Sequence, residues 1–268
     1  MEVLLRANAA WIGLTLAAAA SLLALLHLTE RAAGGYLSHK LGWRSVLLTG
    51  WIGVPIHELG HLVAAHLFGH RIVAWKLFDP DPTTGTLGYV RHAYSKPSAW
   101  QVLGGFFIGV APLVSGGAAL LALASWMLPA GALSQLFYDA RLTASHGGLP
   151  TADDLIHAGW GLATTTVDFA GAVWRGRSEW LPLQLYLAVC IVSHTAPSTT
   201  DLSTSIPGTL LALVLVATGC LLASVAGISL TGAIGLVGPL ALLTLAALVF
   251  QGMYVAVVAV LSRVTART

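Results

Sequence analysis

Residues His57, Glu58, Leu59, Gly60 and His61 spell HELGH, the two-histidine, one-glutamate pattern of zinc hydrolases. On a helix, positions i and i+4 share one face a turn apart. Both imidazoles can then reach a single metal ion while Glu58 stands beside it as the base for a water molecule. The plain alternative is a pair of core histidines satisfied inside a buried helix. The surroundings weigh against that alternative, because the motif lies in an apolar run long enough to cross a bilayer, where a glutamate is costly and needs a reason to be present.

Three protein ligands ordinarily hold a catalytic zinc and leave a fourth position open. Glu58 and Asp201 are the carboxylates within or at the edge of the apolar runs, so Asp201 is the leading third ligand. It closes the segment HTAPSTTD, residues 194–201. There Pro197 removes a backbone donor and is expected to break the helix locally, letting a side chain turn toward the metal. Two other readings stay open: Asp201 as a helix cap at the water boundary, and His194 as an imidazole ligand in its own right. Cys190 stands four residues before His194, but neither it nor Cys220 belongs to a CxxC pair, and both read as buried thiols. His66 and His70 read as interfacial or packing residues, and no GxSxG elbow offers a serine nucleophile.

The elements that must position this chemistry are membrane helices. Of 268 residues, 56% are hydrophobic and only 9% charged, against about 25% charged in a soluble domain; the mean hydropathy is +0.80. Apolar runs at residues 7–28, 43–68, 99–128, 181–200, 208–230 and 232–261 predict an all-α polytopic membrane protein with about six transmembrane helices. The first run lacks a small-residue cleavage site and reads as a retained helix. A net charge of +2 from scattered basic residues argues against nucleic acid as a partner.

Two segments interrupt the spans. Residues 71–96 pair short β-prone runs, 72–78 and 86–94, around a turn rich in Asp, Pro, Thr and Gly, which predicts a hairpin at the membrane surface. Residues 129–180 are more polar. There Thr151 and Asp154 resemble a capping box opening a helix over 154–174, lying in the interface or crossing as a seventh span. The chain thus divides into an N-terminal helix and loop (1–42), a catalytic core (43–201) and two C-terminal helices (202–268). Alternation of six spans brings HELGH and Asp201 toward one face of the membrane. Gly50, Gly53 and Pro55 are expected to loosen the helix just ahead of His57 and help water enter.

HELGH in a span, a surface hairpin, a Gly-rich span (GGFFIGVAPLVSG, residues 104–116) and a Pro-containing Asp segment, in that order, resemble the site-2 protease family of intramembrane zinc metalloproteases. The resemblance covers residues 43–201, the family's three-helix core. It implies that His57, His61 and Asp201 bind Zn2+ and that Glu58 activates water. Two departures are visible. The family pattern Asn-x-x-Pro-x-x-x-x-Asp-Gly becomes His194-x-x-Pro197-x-x-x-Asp201-Leu202, one residue shorter, and Ser115 stands where Gly-Pro-x-x-Asn would place Asn. His194 and Ser115 are therefore the candidates for substrate or oxyanion contact.

By resemblance, the chain would cut membrane-protein substrates in or near a transmembrane segment within the lipid bilayer, as in regulated intramembrane proteolysis. An extended substrate is expected to add to the edge of the hairpin. The resemblance also implies a plasma-membrane location with the zinc and hairpin facing the cytoplasm, an orientation that the evenly divided basic residues leave open. Segment 129–180 is too short for the PDZ domain some relatives carry. The alternatives are a metal transporter or sensor using His57, His61, His194 and Asp201 as a transit site, and a catalytically silent scaffold. Glu179, the one Glu after the motif, is expected on the opposite side of the membrane and makes a poor ligand.

Overall fold

The computed structural model describes residues 1–128 and 179–232 continuously, with isolated positions between 131 and 171 and between 244 and 259. The described chain is mostly helical: α1 (Glu2–Leu41), a 3-10 turn (Trp43–Val46), α2 (Leu47–Leu67), strands β1 (Arg71–Lys76) and β2 (Tyr89–Ala93), α3 (Ala99–Met127), α4 (Leu181–Val192), α5 (Thr199–Thr204) and α6 (Ile206–Val225). Four stretches among the described residues are long and apolar enough to cross a membrane: Glu2–Leu41, Trp43–Leu67, Ala99–Met127 and Ile206–Val225.

That count differs from the six spans expected, for two reasons. The fourth expected span, 181–200, is divided: α4 ends at Val192, and twelve residues rise about 18 Å, well short of a hydrocarbon core of about 30 Å. The sixth expected span, 232–261, lies largely outside the described residues, as does most of segment 129–180. Within that segment the described positions Asp153, Ile156, His157, Trp160, Gly161, Thr164, Val167, Asp168 and Gly171 are helical.

Helix α1 also runs farther than its apolar stretch. Hydropathy sets how much of a helix lipid can cover, whereas backbone hydrogen bonding sets where the helix ends. Nothing in Thr29, Glu30 and Arg31 interrupts that bonding, so α1 continues to Leu41, where Gly42 takes a positive φ of 79°.

Large apolar side chains point outward along the candidate spans. On α2, Trp51, Leu59, Val63 and Leu67 are exposed, while Gly53, Val54, Glu58, Gly60, His61 and Ala65 are buried on the opposite face. A water-soluble helix shows the reverse pattern, and lipid is the solvent that suits this one.

The chain divides into two compact units. One comprises Met1–Leu25, Ala124–Ser178 and Leu213–Ala246. In it Asn8, fully buried, donates to Ser224 Oγ (3.0 Å) and Ile228 O (2.9 Å) and accepts from Leu230 N (2.8 Å). The other comprises Leu26–Leu123, Glu179–Ala212 and Ala247–Thr268 and holds every residue of the HELGH and Asp201 segments.

Small residues let the helices of this second unit approach closely. A Cβ at Gly53 would run into Cys190 O on α4, and one at Gly109 of α3 would stand 2.6 Å from Ser205 Cβ. Ala64 and Ala65 of α2 pack on Ile108 and Ala111 of α3, and Leu26, Val192, Ala196 and Ala247 form a second apolar cluster. Both cysteines are free and buried, as expected.

The hairpin forms where the sequence placed it. β1 and β2 pair antiparallel from Arg71↔Ala93 to Lys76↔Tyr89, with an irregularity between Ile72 and Ala74. Its turn is held by Asp81, whose Oδ1 accepts from the Thr83 amide (2.8 Å) and hydroxyl (2.7 Å) and whose Oδ2 accepts from Thr84 Oγ1 (2.9 Å).

Candidate metal centre

His57 and His61 stand one turn apart on the buried face of α2, with ring centroids 4.9 Å apart. Each ring is oriented by a backbone carbonyl from another element. His57 Nδ1–H donates to His194 O at 2.8 Å, and His61 Nδ1–H donates to Ile108 O at 2.8 Å. A carbonyl can only accept, so both protons are fixed on Nδ1 and both Nε2 lone pairs face one another, 3.1 Å apart.

Asp201 completes the group. Its Oδ2 lies 3.5 Å from His57 Nε2 and its Oδ1 3.2 Å from His61 Nε2. The carboxylate is aimed by a capping box at the start of α5. Ser198 Oγ accepts from Asp201 N (3.1 Å), and Asp201 Oδ2 accepts from Ser198 N (2.7 Å). The helix-cap reading and the ligand reading of Asp201 are thus both satisfied by one side chain. Pro197 separates α4 from α5, and the break frees the six residues that carry Asp201 back to α2.

His57, His61 and Asp201 could hold a metal ion. The chemistry of the set fits one: two imidazole lone pairs and a carboxylate converge, all acceptors, and a cation is what such a set binds. The second partner of each imidazole, a main-chain carbonyl, is the kind that sets tautomer and orientation at metal sites.

Glu58 lies on the same helix, 7% exposed. Among the described residues its carboxylate has no hydrogen-bond partner. With His57 it lines a cavity of about 460 Å3 whose walls include Glu30, Gly88, His194 and Pro197. A group of this kind, beside the converging ligands and facing open volume, can take up or deliver a proton.

The remaining expected residues fall as follows. His194 does not turn its ring to Asp201; its Nε2 pairs with Thr49 Oγ1 at 3.0 Å, and its contribution to the ligand set is its main-chain oxygen. Ser115 Oγ donates to Pro112 O (3.3 Å) at the contact between α3 and α2, where a Cβ on Gly60 would come within 2.5 Å of it. Cys190 Sγ faces Leu48 O rather than a metal ligand.

Several residues of this site were not visible in the sequence. Ile108 and Thr49 act through contacts that no spacing reveals. Glu30 and His27, three apart on one face of α1 on either side of the expected end of its span, both reach the 193–198 segment; their polarity and spacing are the available signal. His70, expected as an interfacial or packing residue, is buried, and it pairs with His92 (Nδ1 to Nδ1, 2.8 Å) and with Gln101 O (2.7 Å).

Comparison of the chain with protein-family models, with curated proteins and with solved structures gave no match.

Proposed function

We propose that this chain is an intramembrane zinc metalloprotease, similar to the site-2 proteases, that hydrolyses peptide bonds in or near transmembrane segments of other membrane proteins. The observation that carries the reading is the convergence of His57 Nε2, His61 Nε2 and the Asp201 carboxylate beside Glu58, at the wall of a cavity inside an apolar helical unit. Zinc is compatible with the spacing: ligands about 2.0–2.1 Å from a tetrahedral ion stand roughly 3.3 Å apart, the two Nε2 atoms stand 3.1 Å apart, and each faces its own Asp201 oxygen, Oδ1 at 3.2 Å from His61 and Oδ2 at 3.5 Å from His57.

When bound, zinc supplies the Lewis acidity that makes water a nucleophile near neutral pH and polarises the scissile carbonyl. Glu58 accepts the proton of the attacking water and passes it to the leaving amine nitrogen. His194 O and Ile108 O keep the two imidazoles aimed, and Ser198 keeps the carboxylate aimed. Leu87 and Gly88, just before β2, line the same cavity, which supports an extended substrate adding to the hairpin edge by main-chain hydrogen bonds. Ser115, packed against Gly60, and the His194 ring, paired with Thr49, remain the candidates for oxyanion or substrate contact.

Six spans, with α4 and α5 as the halves of a divided fourth, accord with this reading. So does a plasma-membrane location with the zinc toward the cytoplasm. Transport would call for several linked sites across the membrane depth; among the described residues one three-ligand group is present. The deciding experiment incubates the purified protein with a panel of single-span membrane proteins, beside Glu58→Gln. Cleavage by wild type and none by Glu58→Gln supports the proposal, and equal cleavage by both refutes it.

A further inference from the structure

The segment that joins α4 to α5 carries the third ligand, and its backbone can be accounted for group by group. Ser193 N, His194 N and Thr195 N donate back into α4, to Val189 O, Ile191 O and Val192 O. Ser198 N is taken by Asp201 in the capping box, and Pro197 has no N–H. Ala196 N remains, and it donates to the Glu30 carboxylate of α1 at 2.9 Å. On the acceptor side, Pro197 O receives His27 Nδ1–H, also from α1, at 3.0 Å. Ala196 and Pro197 are both buried, and non-helical backbone in apolar surroundings persists where protein satisfies it.

From this accounting we infer that Glu30, supported by His27, is a positioning residue for the metal site: α1 fixes the 193–198 segment and thereby sets where Asp201 meets His57 and His61. The role lies outside the three-helix core to which the protease resemblance extends. It rests on the metal reading for its consequence but not for the hydrogen bonds themselves. Glu30 also lines the cavity that Glu58 and His57 line, so the carboxylate that holds the segment borders the same open volume as one candidate ligand and the candidate base.

The test uses full-length detergent-purified protein with two readouts: hydrogen exchange over residues 193–204 in the metal-stripped state, and zinc affinity by chelator competition. Glu30→Ala removes the acceptor and is expected to raise exchange over 193–204 without raising it over 47–67, and to weaken zinc binding 10- to 100-fold, the usual effect of losing an outer-shell partner. Glu30→Gln retains a carbonyl oxygen for Ala196 N and is expected to behave like wild type in both readouts. His27→Leu removes the second bond and is expected to raise exchange over the same residues to a smaller extent, which keeps the idea testable should Glu30→Ala not fold. Wild-type exchange in Glu30→Ala and His27→Leu, or a Glu30→Gln protein as impaired as Glu30→Ala, overturns the inference. A wild-type protein that takes up no zinc would refute the protease proposal instead, and the exchange measurement would still decide the role of Glu30.

Discussion

At the scale of single residues, the site is defined by protons held away from it. His57 and His61 each give their Nδ1 proton to a main-chain oxygen, so what they present to Asp201 is lone pairs. Glu58, one residue from His57, has no hydrogen-bond partner for its carboxylate among the described residues, which suits a group that takes up and delivers protons. Glu58→Gln, close in shape to the carboxyl, is expected to leave metal content unchanged and to lower turnover by about 10²- to 10⁴-fold or more. Elemental analysis beside a cleavage assay checks both halves, and loss of metal in this variant would assign Glu58 to the ligand set. His194 gives a contrasting expectation: its ligand-orienting atom is its backbone oxygen, which alanine retains, so His194→Ala should keep the metal.

At the scale of elements, α3 and α5 meet where Asp201 is displayed. A Cβ on Gly109 would come within 2.6 Å of Ser205 Cβ and 3.0 Å of Asp201 O, whereas one on Gly105 would meet nothing within 4 Å. Gly109→Ala is therefore expected to displace α5 and weaken zinc binding at least 10-fold, while Gly105→Ala, a change that favours a helix, leaves it intact. Zinc titration of the two variants decides the matter, and equal affinities would contradict the close-approach argument.

The hairpin carries a pH dependence of its own. Burial, the largest cause, holds the His92 imidazole below its ordinary value of 6.5. A histidine depressed in the fold binds fewer protons folded than unfolded, so its stabilising contribution is present above pH 6.5 and declines as the pH falls below it. Exchange protection of residues 71–93, corrected for intrinsic rates, should accordingly drop between pH 7.5 and 5.5, and His92→Phe should flatten the drop. These contacts mark the boundary of what the sequence made legible. HELGH, the hairpin and the Pro197 break follow local rules of spacing and turn chemistry and could be read directly. Pairings such as His70 with His92, Glu30 with Ala196 and His61 with Ile108 O join residues 22 to 166 positions apart, and no periodicity records them.

At the scale of the whole molecule, hydropathy showed a helical membrane protein but misjudged where helices end. It stopped α1 at its last apolar residues, although the helix runs on to Leu41, and it merged α4 with the α5 segment that the structure separates. The chain is expected to remain with membranes after alkaline carbonate extraction and to leave them only in detergent; release by carbonate would contradict the four helices among the described residues that are long and apolar enough to span a bilayer. The most direct test of the central claim, that His57, His61 and Asp201 form one metal centre, is zinc content per chain in purified wild type beside His57→Ala, Asp201→Ala and His194→Ala. One zinc per chain, lost with His57 and Asp201 and retained without the His194 side chain, is the result expected. Folded wild type without zinc, or zinc that survives Asp201→Ala and disappears with His194→Ala, would contradict it.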